Sequence, residues 1–161
     1  MAPQLQRFKD AQDQPMAGFE SALAEIRAGG KRSHWIWYVF PQLAGMGHSA
    51  MSHTYGLDGI DEAEAYLRDP LLRSRLLTIS SAIAEQIDRQ PRPILGRVMG
   101  ASIDVAKLVS SMTLFGAIAK RLHAAEGLDE CASMAHVAER ILVAAAAEGY
   151  PPCQFTLTRL R

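Results

Sequence analysis

The densest run of chemically active side chains in this 161-residue chain lies between Lys31 and Gln42. Its first four residues supply two cations, a hydroxyl and an imidazole: Lys31, Arg32, Ser33 and His34. Cations and hydroxyls donate hydrogen bonds to the oxygen atoms of a phosphate or a carboxylate. Four aromatic side chains follow within six residues, and tryptophan and tyrosine offer flat faces on which a base or a sugar can stack. The run therefore predicts a site for a small anionic or nucleotide-like molecule.

Individual roles follow from the residue types in this run. Trp35 and Trp37 are the candidate stacking surfaces, and Gln42 is a further candidate for binding the ligand. His34 is the candidate acid–base group, because imidazole exchanges its proton near neutral pH. The alternative is that the aromatic residues belong to the hydrophobic core and that the cations lie in solvent where the chain leaves a helix. The usual burial of aromatic side chains favours the core for residues 35–40, whereas both interpretations of residues 31–34 stand equal.

A second polar group lies about seventy residues downstream, on one predicted helix. Asp104, Lys107 and Ser111 follow each other at intervals of three and four, so they form a stripe beside the buried face. Asp104 and Lys107 can pair. Ser110 and Thr113 add two hydroxyls, and hydroxyls are unusual in a helix interior because they compete for backbone hydrogen bonds. The alternative is a surface ion pair with serines that serve helix packing.

Two functions from different classes remain open. In the first, the fold brings the two polar groups together, Lys31, Arg32 and Lys107 hold an anion, and His34 or Asp104 acts as acid or base. Whether such a protein is an enzyme is left open by the residues. The alternative is a non-catalytic interaction or structural module. It could be a homo-oligomer held by the alanine-rich last helix, since small residues permit close helix approach.

Metal and cofactor motifs are not found in the sequence. The five histidines are scattered, and none pairs with another at the i, i+4 spacing that zinc-binding helices use. Cys131 and Cys153 are 22 residues apart, which fits no common zinc pattern and is typical of free thiols in a reducing compartment. The chain carries no P-loop, no GxGxxG and no GxSxG. We therefore predict neither a metal site nor a cofactor.

Composition and charge favour a globular cytoplasmic protein. The chain is 48% hydrophobic and 21% charged, which argues against disorder. Its 17 basic and 17 acidic residues cancel, so no net field recruits nucleic acid or an anionic membrane. The N-terminus has no apolar segment typical of a secretory signal, and the longest apolar tract, residues 141–147, is too short to span a bilayer.

Hydrophobic spacing predicts a mainly α, single-domain bundle over residues 1–161, with about six to seven helices and little or no strand. The expected helices cover 5–11, 16–28, 50–55, 61–68, 70–90, 102–123 and 129–147. Residues 35–40 allow a buried strand or a short buried helix, and residues 154–158 alternate weakly as an extended segment would.

Capping residues predict where several of these helices begin and end. Ser49 is expected to cap one helix, and Asp61 with Glu64 reads as a capping box opening another. Asp69 before a proline is a stronger start signal, because proline is favoured at the first helical position. The glycine pair at 29–30 is expected to end the second helix.

Several of these residues also resemble a bacterial family of unknown function that is sometimes labelled calpastatin. The matching blocks are Lys31–Trp35 with Trp37 and Phe40–Gln42, Tyr55, Glu62-Ala63, Tyr66-Leu67, Leu71-Leu72, Arg75-Leu76, Asp104, Lys107-Leu108 and Ser110–Phe115. The resemblance covers about residues 4–116 and matches poorly over 89–103. It implies a compact, mostly α domain in a bacterial cytoplasm and no established activity. The calpastatin label does not suit the chain, because that inhibitor is a disordered repeat protein.

Overall fold

A computed structural model describes residues 4–161 of the chain; the first three residues of the predicted domain lie outside that range. The described residues form ten helices, so the prediction of a mainly α chain is confirmed. The helices are α1 Gln6–Gln12, α2 Phe19–Arg27, α3 Ile36–Val39, α4 Ala50–Tyr55, α5 Gly59–Arg68, α6 Pro70–Arg89, α7 Leu95–Met99, α8 Ser102–Glu126, α9 Asp129–Ala147 and α10 Gln154–Arg159. Within 4–161 the extended pairing is limited to one isolated bridge between Leu43 and Leu57.

The longest helix, α8, forms the centre of the bundle and packs along α9. Gly116 on α8 faces Ala138 on α9 so closely that a Cβ on the glycine would lie 3.1 Å from the alanine Cβ. Small residues therefore bring these two helices together. By length and composition α8 could cross a membrane, but 67% of its most apolar window is buried inside the protein, as in a core helix.

The predicted caps at the starts of α4 and α6 are confirmed. Ser49 accepts a hydrogen bond from the Ser52 amide at the start of α4. Asp69 Oδ1 accepts from the amides of Leu71 and Leu72, both at 3.0 Å. These bonds satisfy donors that a helix N-terminus leaves without an intrahelical partner.

The capping box predicted at Asp61 is wrong, because α5 begins two residues earlier, at Gly59. Asp61 lies inside the first turn, and Asp58 is the N-cap residue without a side-chain cap. Glu62 instead reaches back to the Asp58 amide at 3.1 Å and pairs with Arg7 at 2.6 Å.

Two short helices differ from the sequence predictions. Residues 154–158, expected to be extended, are helical in α10, and α7 was not predicted at all. One turn or so of helix is too short to show a hydrophobic period. Glu148 on the loop after α9 stabilises the start of α7 by accepting hydrogen bonds from the amides of Ile94 and Leu95. That contact spans more than fifty residues and has no local sequence signal.

We predict that Asp69→Ala lowers the free energy of unfolding by about 1–2 kcal/mol, the usual cost of losing an N-cap. The loss of the ion pair with Lys9, at 2.6 Å, adds to this effect. Asp61→Ala is the matched control and should change stability by less than about 0.5 kcal/mol, since Asp61 is exposed and caps nothing. Urea denaturation followed by circular dichroism measures both. Equal losses in the two variants would contradict the assignment of the cap.

Candidate functional site

One carboxylate organises the first predicted polar block. Glu25, on α2, accepts hydrogen bonds from the amides of Arg32 and Ser33 at 2.6 and 2.8 Å. It also accepts from Ser33 Oγ at 2.6 Å and from the indole Nε1 of Trp35 at 3.0 Å. Gly29, with φ +106°, ends α2 and lets the chain turn back toward this carboxylate.

The charge of Glu25 is strongly stabilised by these contacts. Burial disfavours the carboxylate, but the hydrogen bonds from the Ser33 hydroxyl, the Arg32 amide, the Trp35 indole and the Ser33 amide outweigh it. Together they lower the pKa of Glu25 to about 2. The carboxylate is therefore ionised throughout the physiological pH range and holds the loop in one conformation.

Lys31 is held at both its backbone and its side chain. Its amide donates to the carbonyl oxygen of Val98 on α7 at 2.8 Å. Gly100, with φ +85°, ends α7 where a Cβ would lie only 3.1 Å from the Lys31 carbonyl oxygen. The ammonium group donates to the Ser33 carbonyl at 2.6 Å and lies 2.9 Å from Asp104 Oδ2.

Asp104 joins the two predicted polar blocks. Its second oxygen, Oδ1, lies 3.5 Å from the Nζ of Lys107, which in turn lies 4.1 Å from the centre of the Trp37 ring. We call Lys31, Asp104 and Lys107 the lysine–aspartate cluster. Their side chains are only 7%, 14% and 15% exposed, so two largely buried cations share one anion. The cluster carries a net charge of +1.

A pocket of about 470 Å³ lies beside this cluster, within the range typical of small-molecule sites. We call it the Trp37 pocket. It is lined by Trp37, Gln42, Met46, Gly47, His48, Ser49, Ile103, Ala106, Lys107, Ser110 and Cys153. Four of the predicted ligand-binding residues, two from each block, therefore meet at one cavity: Trp37, Gln42, Lys107 and Ser110.

The other predicted residues of the first block lie outside the cavity lining. Trp35 is fully buried, so its ring belongs to the core and offers no face to a ligand. The hydroxyl and the amide of Ser33 donate hydrogen bonds to Glu25, as described above. Arg32 and His34 are exposed at the surface and do not line the Trp37 pocket.

The remaining hydroxyls of the second block serve the interior. Ser111 is fully buried, and its Oγ has no hydrogen-bond partner within residues 4–161. Thr113 Oγ1 donates to the Val109 carbonyl at 2.7 Å, one turn earlier on α8, and accepts from the Cys153 amide at 3.1 Å. Thr113 thus fixes the segment that precedes α10.

Several residues of the site were not predicted. Glu25 acts through a loop eight residues away, a spacing that matches no helical or strand period. Met46, His48 and Cys153 also line the pocket, and no sequence pattern connects their segments. Burial disfavours the Cys153 thiolate, but hydrogen bonds led by that of the Thr156 hydroxyl outweigh it and lower the thiol's pKa.

Comparison with known proteins places the chain among proteins without an assigned activity. The profile of a family described as protein of unknown function (DUF1810) matches residues 2–136. The crystal structure of a conserved hypothetical protein from Mycobacterium tuberculosis is similar, with a TM-score of 0.71 and 32% sequence identity. That similarity covers 97% of this chain and 95% of the other. No curated protein matches the chain.

We predict that Glu25→Gln lowers the free energy of unfolding at pH 7 by about 1–3 kcal/mol, because hydrogen bonds to a charged acceptor become hydrogen bonds to a neutral one. Urea denaturation followed by tryptophan fluorescence measures the loss, since Trp35 is one of the donors. Glu20→Gln, an exposed residue on the same helix, is the control and should be nearly neutral.

The difference between wild type and Glu25→Gln should depend on pH. The pKa of Glu25 is depressed on folding, so its contribution is complete above its ordinary value of 4.5 and is lost as the pH falls toward about 2. The two unfolding curves should therefore converge over that window. A stability difference that stays constant down to pH 2 would show that the carboxylate charge is not what stabilises the loop.

Proposed function

We propose that this chain, which belongs to the DUF1810 family of proteins of unknown function, binds a small anionic molecule with a flat ring in the Trp37 pocket. The observation that carries the proposal is the unequal charge of the lysine–aspartate cluster, in which two largely buried lysines share one carboxylate and one of them, Lys107, lines the cavity. The position of this cluster next to the cavity and the chemistry of the lining residues both support binding of such a molecule.

Electrostatics favour an anion next to Lys107. Asp104 lies closer to Lys31, at 2.9 Å, than to Lys107, at 3.5 Å, so Lys107 is the less completely neutralised cation. Burying an uncompensated charge is costly, and two unit charges 4 Å apart interact by about 4 kcal/mol at the effective dielectric constant near a protein surface. A bound carboxylate or phosphate would supply the missing negative charge.

The rest of the lining favours a ligand with an apolar or aromatic part. Trp37 is half-buried and contributes its ring to the wall, and Ile103 and Ala106 add apolar surface from α8. The amide of Gln42 and the imidazole of His48 supply further groups for hydrogen bonds to a ligand. A molecule that joins an anionic group to a planar ring, as a nucleotide does, fits this combination of surfaces.

The catalytic roles predicted for His34 and Asp104 stay predictions. Neither side chain lines the Trp37 pocket, and both oxygens of Asp104 already face lysines. The proposal is therefore a binding function and includes no chemical step. The cytoplasmic location expected from the sequence is part of the same proposal, since metabolites of this kind are abundant there.

The alternative, a non-catalytic interaction module, has weaker support. The alanines that suggested a helix-mediated oligomer are largely used within the chain, since Ala138, Ala144 and Ala145 are buried in the bundle. Val143 is exposed on the same helix, but a single exposed apolar side chain is ordinary on a protein surface. A homo-oligomer and the expected lack of nucleic-acid and membrane binding stay predictions.

We predict that adenosine 5′-monophosphate raises the melting temperature of the protein more than adenosine or inorganic phosphate, because it joins the ring to the anion. At a hundredfold excess over its dissociation constant a ligand adds about 2.7 kcal/mol of stability. Thermal-shift measurements should extend to sugar phosphates and ADP-ribose. If none of these compounds stabilises the protein, the proposal fails.

Two variants should locate the site. Lys107→Met removes the cation but keeps much of the side-chain volume, and should weaken binding roughly tenfold or more, since a hydrogen bond to a charged group contributes about 1.5–3 kcal/mol. Lys120→Met, an exposed lysine on the same helix, is the control and should leave affinity unchanged. Isothermal titration calorimetry measures both. Equal affinities in the two variants would place the ligand elsewhere.

A further inference from the structure

Two sulfur atoms lie in contact in the wall of the Trp37 pocket. The thiol of Cys153 donates a hydrogen bond to the thioether of Met46, with Sγ and Sδ 3.7 Å apart, and both residues line the cavity. The two residues are 107 positions apart along the chain. We call Met46 and Cys153 the sulfur pair.

We propose that the sulfur pair binds one soft monovalent metal ion of the Cu(I) class, with the thiolate of Cys153 and the thioether of Met46 as ligands. Soft thiolate and thioether sulfur selects Cu(I) over hard cations. The imidazole of His48 lines the same pocket and is the candidate third ligand. This inference does not rest on the anion-binding proposal, because Met46 and Cys153 have no part in that proposal.

The separation of the sulfur atoms suits a shared ion. Bonds between a metal and sulfur are about 2.3 Å long for zinc, so two sulfur ligands of one ion with similar bonds lie at most about 4.6 Å apart. The observed 3.7 Å lies within that limit without any movement of the backbone.

Charge decides between a monovalent and a divalent ion. When a thiol binds a monovalent cation, the S–H bond breaks, a proton leaves for solvent and a metal–sulfur bond forms, so the net charge of the site does not change. A divalent ion would leave an extra positive charge in the pocket that already holds Lys107. No group of three His, Cys, Asp or Glu residues converges within residues 4–161, which also disfavours a zinc site.

Neighbouring groups hold both sulfur atoms in place. The Thr156 hydroxyl donates to Cys153 Sγ at 3.3 Å, and the Ser110 hydroxyl lies 3.6 Å from Met46 Sδ. Gly45, with φ +105°, packs against the ring of Phe155 on α10, where a Cβ would lie 3.2 Å from the ring. The loop that carries Met46 is thereby seated on the helix that follows Cys153. Such outer contacts orient metal ligands.

The sequence predicts no metal site, because its histidines and cysteines have no metal-binding spacing along the chain. A methionine and a cysteine 107 residues apart form no sequence motif. Cys131, the other cysteine, is fully buried in α9 and does not line the Trp37 pocket. It therefore serves as a control for experiments on Cys153.

The test is an anaerobic titration of the reduced full-length protein with Cu(I) in competition with the chromogenic chelator bicinchoninate. We expect one Cu(I) per chain in the wild type and in Cys131→Ser, and none in Cys153→Ser. Met46→Leu, which keeps the shape of the side chain, should weaken Cu(I) binding by about 100-fold or more, beyond the roughly 10- to 100-fold that loss of an outer contact typically costs.

A second measurement guards against variants that fail to fold. One equivalent of Cu(I) should protect Cys153 of the native wild type from alkylation by iodoacetamide, as read by mass spectrometry, while Cys131 stays unmodified with or without the ion. The proposal is overturned if the wild type does not bind Cu(I), or if Cys153→Ser or Met46→Leu binds it as tightly as the wild type. It is also overturned if Cu(I) leaves the alkylation of Cys153 unchanged.

Discussion

The carboxylate of Glu25 is the constraint on which the rest of the site depends. It accepts four hydrogen bonds from three residues that follow the end of its own helix. Because these donors include two backbone amides, the carboxylate fixes the path of the chain and not only its side chains. The indole of Trp35 is drawn into the core, and Lys31 is left beside α7 and α8. Together with the hydrogen bond from the Lys31 amide to the Val98 carbonyl, this anchor places Lys31 next to Asp104.

Each further contact of the site joins segments that are distant along the chain. Lys31 reaches Asp104, Asp104 also holds Lys107, and Lys107 covers the ring of Trp37. Largely buried charges persist only with partners, and both lysines depend on the same one: removing Asp104 would leave two cations without their anion in a region of low dielectric constant. The uneven count of two cations to one anion is what distinguishes the cluster from an ordinary structural ion pair. For the same reason we interpret the cluster as part of a binding site and not only as a packing interaction.

Local rules predicted part of the fold well. The bounds of α9 agree with the prediction, and the aspartate–proline start of α6 was found, because a cap and a long hydrophobic period are properties of neighbouring residues. The same rules misplaced the start of α5, where Glu62 reaches back to the N-cap amide of Asp58. They also missed α7, whose start is stabilised by Glu148 from more than fifty residues away, a contact that no local pattern contains. In the candidate site, Trp37 and Lys107 were predicted and Glu25 was not, for the same reason.

The sequence by itself determined the helical class, the buried faces of the long helices and the two blocks of polar residues, since periodicity and residue chemistry can be read from short segments. Only the tertiary structure decided that Lys31 and Lys107 share one carboxylate, that Trp35 is core while Trp37 lines a cavity, and that Met46 touches Cys153. These outcomes depend on which helix faces pack together over separations of seventy residues or more. Many long-range contacts compete in that choice, and no short stretch of the chain records its result.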